Sequence, residues 1–247
     1  MNFKDKIAVV TGGSSGIGES TVNVLEKFGA QVINLDIVKP NNSTSKVEFI
    51  ELDVTQEKSV TRVISQIATD YAKIDILINS AGVTARNALD GNYTEYELWK
   101  KVIDVNMNGT YLICREVIKN MITNKSGCIV NLSSIMGQVV YPEILNNVTS
   151  PYPISKGGVL QYTKNLASLL ADKGIRVNCV SPAFIMTDLT KNILNDNTIG
   201  PELKSRTPMK RFGNPEEVAN VIAFLSSEYS SYITGADIPV DGGYLIL

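Results

Sequence analysis

The sequence predicts a doubly wound α/β fold, a parallel sheet of about seven strands with helices on both faces. Three observations predict it. Short β-branched runs recur along the 247 residues, most of them are apolar on successive positions, and segments with helical spacing lie between them. A strand that is apolar on successive residues is buried on both faces, and helices are what cover the two faces of a parallel sheet.

The first run, residues 7–10, ends at Thr11 and gives way to Gly12-Gly-Ser-Ser-Gly-Ile-Gly18 and then to a helix-compatible stretch, residues 19–28. Further strands are expected at 31–35, 47–52, 74–78, 128–132, 175–180 and 238–240. Between them Val60, Val63, Ile64 and Ile67 repeat with the helical period, as do Val218, Val221, Ile222 and Leu225. No linker, low-complexity run or block of charge interrupts the chain, and its richest polar stretch, 39–46, has the length of one surface loop. Residues 1–247 are therefore expected to form one domain. In such folds ligands bind beyond the carboxyl ends of the strands, so the informative residues should follow strands directly.

Composition narrows the chemistry. The chain is 44% hydrophobic and 19% charged, which excludes disorder and a fibrous repeat. Its 23 Lys and Arg against 25 Asp and Glu leave a formal charge of −2, with no basic excess to hold nucleic acid or an anionic membrane. A small-molecule substrate is the expected partner. Histidine is absent, so Ser-His-Asp and Cys-His mechanisms and His-ligated zinc are excluded; no metal is expected, and proton transfer falls to Tyr, Lys, Asp, Glu or Cys. Cys114, Cys128 and Cys179, an odd count without a CxxC pair, read as reduced, buried packing residues. The apolar run at 7–10 is too short for a signal peptide or a membrane span, so the expected location is the cytoplasm.

Gly12, Gly16 and Gly18, with Ser14, Ser15 and Ile17 between them, stand between a strand and a helix. Such glycines let the backbone approach a diphosphate whose charge meets free N–H groups at the helix start. The spacing is TGxxxGxG rather than GxGxxG, and a purely structural turn would show the same glycines. Asp36 ends the second strand, where a carboxylate accepts hydrogen bonds from the adenosine ribose. An NADP 2′-phosphate there would meet like charge, a repulsion of about 4 kcal/mol per charge pair at 4 Å and an effective dielectric near 20. NAD is thus the expected cofactor. Lys39 is the one basic group that would soften the preference, and a plain surface aspartate is the alternative.

Tyr152-Pro-Ile-Ser-Lys156 opens a run with apolar residues at Leu160, Leu166 and Leu169. Residues four apart share a helix face, so the phenol and the ammonium reach one site. Bringing a tyrosine from about pH 10 to about 7 takes roughly 4 kcal/mol of phenolate stabilisation, within reach of a close ammonium and a positive nicotinamide. Tyr152 is the best acid/base candidate in a chain without histidine, although a solvated helix face would also carry such a pair. Because proline disfavours the helical region for the residue before it, Tyr152 is expected at the helix cap with Pro153 in the first turn.

These motifs occur together with Asp53-Val54, Asn79-Ser-Ala-Gly82, Asn106-Met-Asn-Gly109, Asn131-Leu-Ser-Ser-Ile-Met-Gly137, Arg176-Val-Asn178, Ser181-Pro182 and Val240-Asp-Gly-Gly243. Over its whole length the chain resembles the short-chain dehydrogenase/reductase family, in the branch of single-domain, Rossmann-like enzymes of similar size. The resemblance implies hydride transfer between a nicotinamide cofactor and a secondary alcohol or ketone. It makes Tyr152 the acid/base, Lys156 the group that lowers its pKa and bonds the nicotinamide ribose, Ser134 the residue that orients the substrate oxygen, and Asn106 the holder of a relay water. It assigns Asp53 and Val54 to the adenine, Asn79, Ala81, Gly82 and Pro182 to the cofactor wall, and Thr187 to the carboxamide. Taken singly, Asn79 would also cap a strand and Thr187 a helix. The resemblance further implies a homotetramer, in which the apolar tail from Tyr244 to Leu247 is a candidate contact.

Ser80 and Ala183 depart from the family's NNAG and PG, changes remote from the chemistry. Ser134 and Tyr152 stand 18 positions apart, several more than is usual in the family, which lengthens a loop at the rim within 139–151. That loop, with Tyr141, Glu143, Asn146 and Asn147, and a second segment within 187–210, with Lys191, Asn192, Asn195, Asp196 and Asn197, are expected to wall the substrate. Their hydrogen-bonding character suits a polyol, sugar or sugar acid better than a steroid. Arg86 is placed to meet a carboxylate, with an interface or solvent role as the alternative. The C-terminal region resembles both gluconate or polyol dehydrogenases and 3-oxoacyl carrier-protein reductases. A cofactor-binding regulator without turnover is the reading from another class, and the presence of Asn106, Ser134, Tyr152 and Lys156 argues against it.

Overall fold

Successive residues of a strand point to opposite faces of its sheet, so a run such as Ala8-Val9-Val10 needs an apolar layer on each side. The computed structural model, which describes residues 1–41, 47–88, 91–145 and 150–247, has both layers. Strands β1 (Ile7–Thr11), β2 (Gln31–Asp36), β3 (Val47–Glu51), β4 (Ile76–Asn79), β5 (Gly127–Leu132), β6 (Ile175–Pro182) and β7 (Asp237–Val240) form one parallel sheet. Its order is β3-β2-β1-β4-β5-β6-β7. Each run expected to be a strand is one, with ends shifted by a few residues.

The helices are α1 (Gly16–Lys27), α2 (Glu57–Tyr71), α3 (Glu95–Ile103), α4 (Thr110–Asn124), α5 (Pro151–Leu170), the short α6 (Lys191–Leu194) and α7 (Ile199–Ser205), and α8 (Pro215–Ser226). Val9, Ile33, Leu77, Ile129 and Val177 face α2, α4 and α5, where they pack with Val60, Ile64, Ile67, Val117 and Leu166. Ala8, Val10, Val32, Ile78, Val130 and Val180 face α1 and α8, where Val22, Leu25, Val218 and Ile222 meet them. Burial of each such aliphatic side chain contributes about 1.5–3 kcal/mol, which is why the strands carry no alternation. The three cysteines are buried free thiols, Cys114 in the first layer and Cys128 in the second. No helix among the described residues is long and apolar enough to cross a membrane.

The strand order reverses between β1 and β4, and a cleft opens at that point beyond their carboxyl ends. Three details set its walls. Between α3 and α4 the backbone passes through a π-helical segment, Asp104–Gly109, which carries Asn106. The wider turn offsets the following helix and turns Asn106 inward, to 1% exposure.

The start of α5 corrects the expectation for Tyr152. Ser150 is the N-cap and Pro151, Tyr152 and Pro153 are the first three helical residues. Prolines are tolerated there because first-turn N–H groups have no intrahelical partner, which outweighs the restriction on the residue before proline. The one N–H between them, that of Tyr152, donates to Ser150 Oγ at 3.4 Å.

At the rim, the two segments expected to wall the substrate meet. Leu145, Leu194, Leu203 and Phe212 form a small buried core with Tyr141, Ile144, Phe184, Met186, Ile193 and Ile199, so the lengthened loop and the segment after β6 pack on each other through apolar groups. Lys191, Asn192, Asn195, Asp196 and Asn197 are exposed, as is Glu143, while Asn146 and Asn147 lie outside the described residues. Lys191 pairs with Asp188, and Asp196 accepts the N–H groups of Thr198 and Ile199. Lys191 also lines an open cavity with Gly16, Met186, Thr187 and Asp188, while the short helices bury their apolar stripe inward.

Candidate active site

Main-chain crowding shapes the first wall. A Cβ on Gly18 would lie 1.9 Å from the Gly12 carbonyl oxygen, and one on Gly12, whose φ is +66°, would lie 2.7 Å from Ala81. The loop after β1 can therefore fold flat against the segment after β4 only without those side chains. Helix α1 starts at Gly16 inside this loop, and its N-cap Ser15 makes no side-chain cap bond. N–H groups at this helix start thus remain available to a diphosphate, and the cradle fits the cofactor that the glycines suggested. Thr187 reaches the loop from the far side, its Cγ2 3.3 Å from where a Cβ of Gly16 would stand. It is not a helix cap, since Thr190 precedes α6.

Asp36 sits at the end of β2 beside this loop. Its Oδ2 accepts the Ser14 N–H at 3.0 Å and its Oδ1 the Val38 N–H at 3.1 Å, while Asn34 donates to Ser14 Oγ at 3.0 Å. The carboxylate is thereby held in place beside the glycine loop, and Lys39 is exposed nearby in sequence. Asp53 follows β3. Burial raises its pKa, and the N–H and hydroxyl of Thr55 with the charge of Lys101 outweigh that and hold it below its ordinary value. Val54 packs against Gly109 of the π segment.

Asn79 ends β4 but its side chain serves the sheet interior. Its Nδ2 donates to Asn131 Oδ1 at 2.8 Å and lies 3.2 Å from Cys114 Sγ, and Asn131 in turn donates to Thr163 of α5 at 2.9 Å. Gly82, three residues on, lies beside the chemistry: a Cβ there would be 3.4 Å from Asn106 Oδ1 and 3.5 Å from Lys156 Nζ.

The remaining candidates converge from β5, β6 and α5. A Cβ on Gly137 would lie 2.8 Å from the Lys156 carbonyl carbon, so its absence lets the Ser134 turn press directly on α5. Ser133 Oγ donates to the Lys156 carbonyl at 2.8 Å across that contact. Ser134 accepts the Met136 N–H at 3.2 Å and donates toward the Pro182 carbonyl at 3.4 Å. Lys156, 6% exposed, donates to the Leu132 carbonyl at 2.8 Å, with Nζ 5.7 Å from the centre of the Tyr152 ring.

The electrostatics follow from burial. Burial and the nearby Tyr141 phenol push Tyr152 up from its ordinary value, and the bond with Ser134 opposes them, so the phenol holds its proton. Burial pushes Lys156 down to about 8, against a weaker opposing effect of Cys179. The folded lysine then binds fewer protons than the unfolded one between about pH 8 and 10.5, so stability rises with pH through that window. Below pH 8 the full cost of about 3 kcal/mol is present. Denaturant midpoints at pH 7 and 10.5, for the protein and for Lys156→Met, are expected to converge or cross as pH rises; a gap independent of pH overturns this assignment.

Sequence reasoning missed three groups here: the Leu132 carbonyl that holds Lys156, the Val83 backbone bonded by Asn106, and Ser155. The first two are main-chain atoms, for which residue identity gives no signal. Ser155 lies inside the Tyr-to-Lys motif, but only its burial marks it.

The comparisons agree with this geometry. A family model described as enoyl-(acyl carrier protein) reductase matches residues 12–245. The chain is 39% identical to a 3-oxoacyl-(acyl-carrier-protein) reductase of Thermotoga maritima, with 100% of each chain covered. It is 35% identical to an NAD-dependent glycerol dehydrogenase of Listeria innocua, over 100% of this chain and 96% of that one. Among solved structures, the ligand-free aldohexose dehydrogenase of Thermoplasma acidophilum superposes with a TM-score of 0.87 at 35% identity, over 99% of this chain and 96% of that one. With the parallel sheet, the glycine cradle and full-length relatives in agreement, the chain belongs to the short-chain dehydrogenase/reductase family, oxidoreductases that act on alcohol and keto groups with a nicotinamide cofactor.

Proposed function

We propose that this protein is an NAD(H)-linked dehydrogenase or reductase of a secondary alcohol and its ketone, with Tyr152 as the acid/base. The observation that carries the reading is the meeting of Tyr152, Ser134 and Lys156 beside Gly82 at the carboxyl ends of β4, β5 and β6. The bound nicotinamide supplies or accepts the hydride. In the reducing direction Ser134 holds the carbonyl oxygen, and Tyr152, protonated in its buried setting, donates to that oxygen. The Lys156 ammonium steadies the phenolate left behind. In the oxidising direction that phenolate takes the hydroxyl proton. Asn106 holds the Val83 segment beside these groups. Gly12, Ser14, Ser15, Gly16, Ile17 and Gly18 are assigned to the diphosphate, Asp36 to the ribose, Asp53 and Val54 to the adenine, and Ala81, Gly82, Pro182, Thr187 and the main chain at Asn79 to the nicotinamide side.

NAD rather than NADP is part of this reading, because Asp36 is fixed by two N–H groups where a 2′-phosphate would stand. Asp36→Ala is expected to narrow the preference for NAD about 10-fold or more, as removal of a like charge worth even a third of the 4 kcal/mol contact would do. Ratios of kcat/KM with the two cofactors measure it; a native protein that prefers NADP contradicts the assignment.

For the substrate we propose a polyol, sugar or sugar acid. The polar groups of the rim support this, and Tyr141, half-buried on the lengthened loop and raised in pKa by burial against the opposing effects of Ser150 and Arg86, adds a further hydroxyl. These groups, and the kinship with glycerol and aldohexose dehydrogenases, suit a substrate with further oxygens. The second reading, a 3-oxoacyl reductase, draws on the apolar lid and the Thermotoga relative. Turnover followed by nicotinamide absorbance, over polyols, sugar acids and short acyl ketones with both cofactors, separates the two. Activity confined to acyl ketones overturns the first, and cofactor binding without turnover on any of them favours a regulatory protein.

A further inference from the structure

The first turn of α5 carries Tyr152, and its N-cap bond is a long one. Pro151 and Pro153 have no N–H to give, and the single N–H between them makes only the 3.4 Å bond to Ser150. Ser155 compensates from above. It is fully buried, and its Oγ donates to the Tyr152 carbonyl at 2.7 Å and accepts from Asn106 Nδ2 at 3.0 Å.

The direction of this chain is fixed by its far end. Asn106 Oδ1 accepts the Val83 N–H at 2.8 Å and Nδ2 donates to the Val83 carbonyl at 2.9 Å, so the amide cannot be flipped without losing both bonds. Both Nδ2 hydrogens are then committed, one to Val83 and one to Ser155. The serine must accept, and its own proton goes to Tyr152. Three segments thus meet at one hydroxyl: the loop after β4 through Val83, the π segment through Asn106, and the start of α5 through Tyr152. The same loop carries Gly82, where an added Cβ would stand 3.5 Å from Lys156 Nζ.

We propose that Ser155 is a positioning residue, the joint that holds the backbone of Tyr152 in register with the Gly82–Val83 segment and thereby sets the distance between the phenol and the substrate oxygen. This rests on the assignment of Tyr152 as acid/base. Without the hydroxyl, an Asn106 hydrogen is left unpaired in a closed interior and the first turn is freed from its upper anchor. A displacement of about 1 Å at the reacting atom lowers rate by roughly 100-fold while leaving the distant diphosphate cradle unchanged.

The test compares Ser155→Ala, Ser155→Thr and Tyr152→Phe with the parent protein for kcat, KM, the pH profile of kcat and NADH affinity by fluorescence. Ser155→Ala is expected to lower kcat about 10- to 100-fold, to displace the limb of the pH profile assigned to the phenol, and to change NADH affinity less than about 3-fold. Ser155→Thr, which keeps the hydroxyl, is expected to recover most of kcat and the parent profile. If Ser155→Ala does not fold, Ser155→Cys, of similar volume with a weak donor, takes its place. An alanine or cysteine variant with the parent kcat and pH profile overturns the proposal, and so does a threonine variant that recovers nothing. Loss in Tyr152→Phe with full activity in Ser155→Ala sinks this inference alone, whereas full activity in Tyr152→Phe removes the mechanism beneath it.

Discussion

Tyr152→Phe is expected to bind NADH as the parent does and to lose about 100- to 10,000-fold in kcat, the range that a positioned general acid or base contributes. The substitution removes one oxygen from a half-buried ring. Ser134 keeps its contact with the Pro182 carbonyl and Lys156 keeps its bond to the Leu132 carbonyl, so neither partner is stranded by the change. Binding and catalysis should therefore separate cleanly. The chain has no histidine to take over the proton, and the nearest other phenol, Tyr141, is itself raised in pKa by burial against the opposing effects of Ser150 and Arg86. Stopped-flow measurement of NADH binding beside steady-state turnover gives both quantities. A kcat within 3-fold of the parent would transfer the acid/base role to Tyr141, where Tyr141→Phe would then have to abolish it.

Gly18→Ala has the second large effect, and it should fall on the cofactor rather than on the proton. The added Cβ would meet the Gly12 carbonyl oxygen at 1.9 Å and the Gly12 carbonyl carbon at 2.8 Å. Both are main-chain atoms of the turn itself, so no side chain can swing aside and the loop must open. Strain of about 1–3 kcal/mol is expected for such overpacking. If the bound cofactor requires the closed loop, that strain appears as an NADH Kd raised roughly 10- to 100-fold. A thermal shift recorded on the same sample distinguishes a loop that opens from a fold that is lost. An unchanged Kd would mean that the diphosphate does not rest on this turn.

The sequence by itself determined the sheet, its two covering layers and the line-up of residues along the cleft. This follows from local causes. Apolar residues at successive positions have only one way to be buried, between two helical layers, and residues placed just after parallel strands arrive at the same edge whatever the loops do. Gly12 and Asp36 are legible for that reason, Tyr152 through its spacing from Lys156 on one helix face, and Gly82 and Ser134 through the family resemblance.

What the tertiary structure alone decided depends on contacts between segments far apart in the chain. The side chain of Asn79 could not be aimed from sequence, because whether it faces the cleft or the interior turns on Asn131, 52 residues away. The apolar core of Leu145, Leu194, Leu203 and Phe212, which decides which face of each short lid helix is inward, joins segments far apart in the chain and has no signal in either one alone. Tyr152 entered the helix rather than capping it because Ser150 supplies the cap. Ser155 gained its place for the same reason: a hydroxyl has no direction in a sequence, and only Asn106 and Val83, brought to it by the fold, give it one. Periodicity records which residues are buried, whereas hydrogen-bond direction is fixed by whatever those residues are buried against.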